Sequence, residues 1–169
     1  SVGLAEAVSR VRKSGFTFAP ETGSDRLRRV INKTFTNDDM VRAAEAAFSK
    51  GWHLIKVYAM IGLPTETDDD LEELARPTEN ILSAGRRVAG GRKIQIKVSV
   101  GCFVPKPWTP FQWQPFTGTE ELRRRIHLLK QRFKRIRGAR LTWSNPDESA
   151  LETLLSRGGR DLSAAIERA

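Results

Sequence analysis

Glu21 closes the run Phe16-Thr17-Phe18-Ala19-Pro20-Glu21, just before the turn Thr22-Gly23-Ser24. An ionised carboxylate there offers two acceptors, which suits paired hydroxyls such as those of a ribose. The other reading is a Glu that holds the Thr22-Gly23 turn. A second run, Lys56-Val57-Tyr58-Ala59-Met60-Ile61, ends in Gly62-Leu63-Pro64 and then Thr65-Glu66-Thr67. Gly62 removes a side chain where backbone must approach a ligand or another strand. Glu66 fits a supporting role at that turn, or at the helix start behind it, better than ligand binding. A third apolar run leads into Phe103-Val104-Pro105-Lys106-Pro107. His53 and His127 are far apart and lack partners at metal-ligand spacing. No Gly-x-Ser-x-Gly, P-loop or His-Glu-x-x-His motif occurs.

The elements that must position these residues alternate helix and strand. A helix over 2–13 stops at Gly15, and a strand over 16–21 follows. Ser24 caps a short helix to about Asn32. Thr36 caps another, with Asp38 and Asp39 in its first turn and Gly51 closing it. A strand spans 53–61. Thr67 caps a helix that opens with Asp68, Asp69 and Asp70, and Pro77 is expected to break or restart it. Gly90-Gly91 is a turn before a strand over 93–104. A Pro- and aromatic-rich loop covers 105–117, then a basic helix, then two shorter helices, the first opened by Asn145-Pro146-Asp147-Glu148.

Strands alternating with helices imply parallel βα units. Ile55, Val57, Ala59 and Ile61 oppose Lys56, Tyr58 and Met60; Ile94, Ile96, Val98 and Val100 oppose Gln95, Lys97 and Ser99. A sheet covered by helices on both faces reads as continuous apolar runs. Here one face is apolar and the other polar, which suits a curved sheet lining a functional lumen. In such barrels chemistry sits at the C-terminal ends of the strands, which are Glu21 to Ser24, Gly62 to Glu66 and Phe103 to Pro107. Cys102 shares parity with Val98 and Val100, so it packs outward as a small hydrophobe. The carboxylates of Thr36-Asn37-Asp38-Asp39 and Thr67-Asp68-Asp69-Asp70 lie at helix N-termini, where they repel phosphate and disfavour a phosphate-binding barrel.

The 169 residues, 39% apolar and 29% charged, suffice for a folded domain. No apolar run approaches the ~18 residues of a membrane span. The one cysteine permits no internal disulfide and fits a cytoplasmic setting. Ser1 is not a natural start, and Val2, Leu4, Val8 and Val11 form a helix face, so the chain is expected to be an excised piece. The net charge of +9 is concentrated. Nine basic residues and no acidic one lie between Leu122 and Arg140; the 29 basic residues less these nine balance the 20 acidic ones. Leu122, Ile126, Leu129, Phe133 and Ile136 form the buried stripe of that helix. Its basic face is a solvated surface or a contact for RNA or an acidic partner. It carries no interleaved aromatics for base stacking.

The strand-turn-helix pairs 16–24 and 56–67 resemble the fourth and fifth βα units of the radical S-adenosylmethionine (SAM) enzymes. The fold implied is α/β: three parallel βα units over 1–117 forming about half of a partial (β/α)6 barrel, followed by a basic helix and C-terminal helices over 118–169. In enzymes such as the oxygen-independent coproporphyrinogen oxidases, a polar residue ending the fourth strand binds the SAM ribose; Glu21 holds that place, with Ser24 beside it. Asn32-Lys33 resembles an Asn-Arg pair whose cation meets the SAM carboxylate. Met60-Ile61-Gly62-Leu63-Pro64 resembles the Ile-x-Gly-x-Pro pattern flanking the adenine, and Tyr58 stands where an Asp often helps hold the ribose. Phe103 and Val104 fall where backbone meets the adenine edge.

The loop Val104-Pro105-Lys106-Pro107-Trp108-Thr109-Pro110-Phe111-Gln112-Trp113 resembles radical SAM proteins with an upstream cobalamin-binding domain, often labelled Fe–S oxidoreductases. Ser144-Asn145-Pro146 and Leu155-Ser156-Arg157-Gly158-Gly159 are similar to their C-terminal extension. The resemblance implies a parent that cleaves SAM reductively to a 5′-deoxyadenosyl radical with a [4Fe–4S] cluster, and it admits cobalamin in an upstream domain. The Cys-x3-Cys-x2-Cys that holds such a cluster is expected upstream of Ser1, so the isolated fragment is expected to be inactive. Its partners are the remainder of the parent chain and other copies of itself. The other readings are an RNA-binding module centred on residues 122–140 and a non-catalytic regulatory βα domain.

Overall fold

The computed structural model describes residues 15–168; the helix expected over 2–13 lies outside them. Strand β1 (Phe16–Glu21) is followed by α1 (Asp25–Val30), α2 (Asn37–Ser49), β2 (Leu54–Ile61), α3 (Asp68–Val88), β3 (Gln95–Cys102), α4 (Thr119–Phe133), β4 (Ala139–Trp143) and α5 (Pro146–Arg157). A 3-10 turn (Arg160–Leu162) and α6 (Ser163–Ile166) follow. The four strands form one parallel sheet in the order β1-β2-β3-β4. The fold is α/β, a parallel sheet alternating with helices, as in a partial radical SAM barrel with C-terminal helices.

The alternation in the strands determines the layers. Ile55, Val57, Ala59 and Ile61 of β2 and Ile96, Val98 and Val100 of β3 are buried. They pack with Met40 and Phe48 of α2, Leu74 and Ile81 of α3, and Leu122, Leu129 and Phe133 of α4. Cys102 also packs against this cluster, on the side its parity predicts. Tyr58, Gln95 and Lys97 are exposed on the opposite face, where Lys56 and Met60 are half-buried.

Helix starts follow the cap chemistry. Ser24 accepts the Leu27 N–H, Thr36 and Asp39 form a reciprocal capping box, Thr67 and Asp70 form another, and Asn145 accepts the Asp147 N–H ahead of Pro146. Gly23 is required by packing: a Cβ there would lie 2.1 Å from the Leu74 backbone nitrogen.

Three expectations are corrected. The sheet has a fourth strand, so it continues past residue 117 into the segment read as wholly helical. The basic helix is shorter than 122–140: α4 ends at Phe133, and Gly138, at φ 101°, leads the chain into β4. Ile136 is buried like the stripe before it, but from a turn. Pro77 does not break α3, which runs on to Val88. A proline inside a helix costs about 3 kcal/mol. Burial of Pro77 itself and of Leu74, Thr78, Ile81 and Leu82 around it offsets that cost.

Candidate SAM half-site

β1 ends irregularly. Its pairing with β2 shifts between Phe18 and Glu21, and Glu21 adopts the left-handed conformation at φ 65°. Such backbone is costly for a residue with a side chain and concentrates at functional sites. Asn32, next to Lys33, is also left-handed at φ 58°. Together these two turns bring Lys33 Nζ within 2.7 Å of both Glu21 Oε1 and the Ala19 carbonyl oxygen, to which it donates.

The Glu21–Lys33 pair forms one wall of a cavity of about 450 Å³. The remaining lining comes from the ends of β2 and β3 and the loop after β3: Met60, Leu63, Phe103, Val104, Lys106, Thr109 and Phe111, with Ile31 from the turn after α1. Leu27, Leu63 and Phe103 are buried together beneath it, and Phe103 meets Phe111 edge-on at 6.1 Å between ring centres. The cavity therefore has an apolar floor and one polar wall carrying a carboxylate beside an ammonium group. That suits a zwitterionic molecule with a flat apolar part and vicinal hydroxyls.

Of the nine residues marked by resemblance, five meet here: Glu21, Lys33, Met60, Phe103 and Val104. Phe103 already donates its N–H to the Ile61 carbonyl oxygen at 2.8 Å. Tyr58 lines a neighbouring cavity of about 460 Å³ over the sheet, which shares Glu21 and Met60. The other three are in the scaffold. Ser24, 1% exposed, donates to Asp70 at 2.5 Å while it caps α1. Gly62, at φ 83°, donates its N–H to Glu66 at 2.6 Å and accepts from Thr117 at 3.1 Å. Pro64 is half-buried in the same turn.

Glu66 supports that turn. Its side chain is 1% exposed and is paired with Arg125 of α4. Burial pushes its carboxyl up to about 7, against the lowering effect of the Gly62 N–H and the Arg125 charge. Burial also works against the Arg125 charge, but its bonds to Glu121 and Glu66 outweigh that and raise its pKa, so the proton that moves is that of Glu66. Asp70, at the start of α3, is lowered to about 2: burial opposes its charge, but bonds from Arg26, Ser24 and Thr67 prevail.

Sequence reasoning placed Leu63 and Lys106 at the strand ends without a role, and it gave no site role to Ile31, Thr109 and Phe111 in the first cavity or to Thr142, Trp143 and Ser144 in the second. The alternation of Ala139, Leu141 and Trp143 with Arg140 and Thr142 was the available signal for the last group. The basic face of α4 proved to be largely matched by acids. Arg123 pairs with Asp147, Arg124 with Asp68 and Glu121, Arg125 with Glu66 and Glu121, and Arg132 with Glu72 and Glu79.

Residues 2–77 match the Radical SAM superfamily. An uncharacterized protein of Methanocaldococcus jannaschii is 32% identical over 151 residues, covering 89% of this chain and 32% of that protein. The chain thus spans about a third of that relative. No solved structure matches it. The superfamily implies SAM and a [4Fe–4S] cluster in the parent. The cavity residues fit SAM. The cluster does not fit this chain, which has one cysteine. Among the described residues no group of three or more His, Cys, Asp or Glu could hold a metal ion. None of their helices is long and apolar enough to cross a membrane.

Proposed function

We propose that this chain is a radical SAM-related fragment that supplies part of the SAM site of a longer enzyme. The observation that carries the reading is the convergence of Glu21, Lys33, Met60, Phe103 and Val104, from three strand ends, on one cavity of SAM-compatible chemistry. Glu21 would accept from the ribose hydroxyls and Lys33 would hold the methionyl carboxylate. In the absence of ligand these two side chains satisfy each other, so SAM would replace one ion pair by two charge-assisted contacts. Met60, Leu63 and Phe103 would cover the adenine faces. Because the Phe103 N–H is committed to Ile61, the main chain of Val104 would meet the adenine edge. The reductive cleavage of SAM belongs to the longer enzyme, whose cluster cysteines we place outside these residues. We place the enzyme in the cytoplasm, because the one cysteine of this chain can form no disulfide within it. The cobalamin-linked subgroup rests on the resemblance of loop 104–113, Ser144-Asn145-Pro146 and the 155–159 segment.

The alternative of an RNA-binding module is less favoured, because four arginines of the basic helix already serve as ion-pair partners for acids of α3, α4, α5 and the turn after β2. The test is calorimetry on the longer enzyme with its cluster loaded. Glu21→Ala and Lys33→Met should each weaken SAM binding by about 1–3 kcal/mol. Glu66→Gln should weaken it less. Unchanged affinity in both cavity variants would refute the assignment.

A further inference from the structure

The lumen face of the sheet carries a row of cations. Lys56 of β2 stands directly opposite Lys97 of β3, and Lys97 opposite Arg140 of β4. Each alternates with residues that pack into the helix-side core, namely Ile55 and Val57, Ile96 and Val98, and Ala139 and Leu141. All three therefore share the opposite face. Lys97 and Arg140 are exposed and Lys56 is half-buried. Neighbouring strands lie about 4.8 Å apart, so the three charges sit across roughly 10 Å of sheet. Like charges directly opposite on adjacent strands are destabilising.

Nothing on the sheet relieves this row. Glu21 is the sole carboxylate in the four strands, and Lys33 engages it. None of the three cations has an ion-pair partner among the described residues. The contrast with α4 is informative, since there the arginines are matched by acids. The backbone sites that usually hold anions are closed here, because the N-termini of α2 and α3 carry Asp38, Asp39, Asp68, Asp69 and Asp70. Any anion must be held by side chains.

Above the cations the surface changes character. Tyr58, Ser99 and Thr142 form the next row, with the Ser99 and Thr142 hydroxyls 3.0 Å apart. Above them the cavity of about 460 Å³ opens toward Met60, Gly101 and Glu21. Met60 lies four positions beyond Lys56, which is about 13 Å along a parallel strand.

We propose that the lumen binds a small polyanion bearing two or three carboxylate or phosphate groups. Lys56, Lys97 and Arg140 anchor those groups. The rest of the molecule runs past the Tyr58, Ser99 and Thr142 hydroxyls, so its far end reaches the SAM cavity about 13 Å away. The anchoring stands on strand register and charge; the location of the reacting end rests on the SAM reading above.

The test is calorimetry on the 169-residue chain with citrate and with pyrophosphate, beside a separate titration with SAM. At least one polyanion should bind, and the preference between them distinguishes a carboxylate from a phosphate ligand. Lys97→Gln and Arg140→Gln should each weaken that binding roughly fivefold and leave SAM affinity unchanged. Lys134→Gln, outside the lumen, should leave both unchanged. Without anion, Lys97→Gln should raise the Tm by roughly two degrees as repulsion is relieved, and saturating polyanion should remove that gain. Binding of neither polyanion, equal binding by the lumen variants, or equal weakening by Lys134→Gln would overturn the proposal. Polyanion binding by the chain, with SAM affinity of the cluster-loaded longer enzyme unchanged by Glu21→Ala and Lys33→Met, would refute the SAM reading and leave the anchoring standing; the converse would do the opposite.

Discussion

Removing the Arg125 charge should make the stability of this chain strongly pH-dependent, because Glu66 would lose its buried partner. In the native protein Glu66 has a folded pKa of about 7 against an ordinary 4.5. The folded state thus holds that proton more tightly than the unfolded chain. Its contribution to stability is complete below 4.5 and is lost as pH rises to about 7. In Arg125→Met the carboxyl keeps its burial and the Gly62 N–H but has no opposite charge, so its pKa rises further and the decline extends above 7. Near pH 5 the Glu66 carboxyl is protonated in both proteins, and the variant should cost about 1 kcal/mol in lost hydrogen bonding. Near pH 8 the variant must keep a buried carboxylate unpaired or take up a proton, and should cost about 3–5 kcal/mol. Urea unfolding followed by tryptophan fluorescence at the two pH values measures the difference. Glu66→Gln in the Arg125→Met background should abolish it, since the amide oxygen still accepts the Gly62 N–H. An equal cost at both pH values, or no relief in the double variant, would refute the reasoning.

Asp70 should act in the opposite direction: with its pKa lowered to about 2, its contribution is present above 3.8 and lost as pH falls through 2, and Asp70→Asn should remove about 2 kcal/mol at neutral pH while flattening the acid limb of the stability profile. Gly23→Ala should cost about 3 kcal/mol or more and give largely insoluble protein, because the obstructing atoms are Leu74 backbone; solubility and circular dichroism check this. The edge strands β1 and β4 of the described sheet, Trp108 at 95% exposure, and Leu151, Leu154 and Leu155 along α5 should drive self-association. Light scattering should then give a mass that rises with concentration above the 19.0 kDa monomer.

Strand parity was legible in the sequence wherever one face packs on helices, which is why β2 and β3 and their lumen-facing residues could be read directly. Helix starts were legible because Ser24, Thr36 and Asn145 cap them by local hydrogen bonds. β4 was not legible, because Ile136 prolongs the apolar period of α4 by one turn and Arg137 and Arg140 prolong its charge. Only Gly138 and the short alternation from Ala139 to Trp143 mark the change. The continuity of α3 through Pro77 depends on tertiary burial, which local rules do not contain. At the site, Glu21 and Lys33 were legible as candidates, but their mutual bond depends on two left-handed residues, Glu21 and Asn32, neither of them glycine. Ser24 and Gly62 were marked by their place beside the strand ends, yet their polar groups are already used within the scaffold. Leu63 and Phe111 line the cavity only because the loop after β3 folds back over the ends of the strands.

The most direct test of the central claim is a nuclear magnetic resonance titration of the isotope-labelled chain with SAM. The account predicts shifts in the amides of Glu21, Lys33, Met60, Leu63, Phe103 and Val104, reduced in Glu21→Ala and Lys33→Met. Absence of shifts at millimolar SAM, or shifts confined to the basic face of α4, would contradict it.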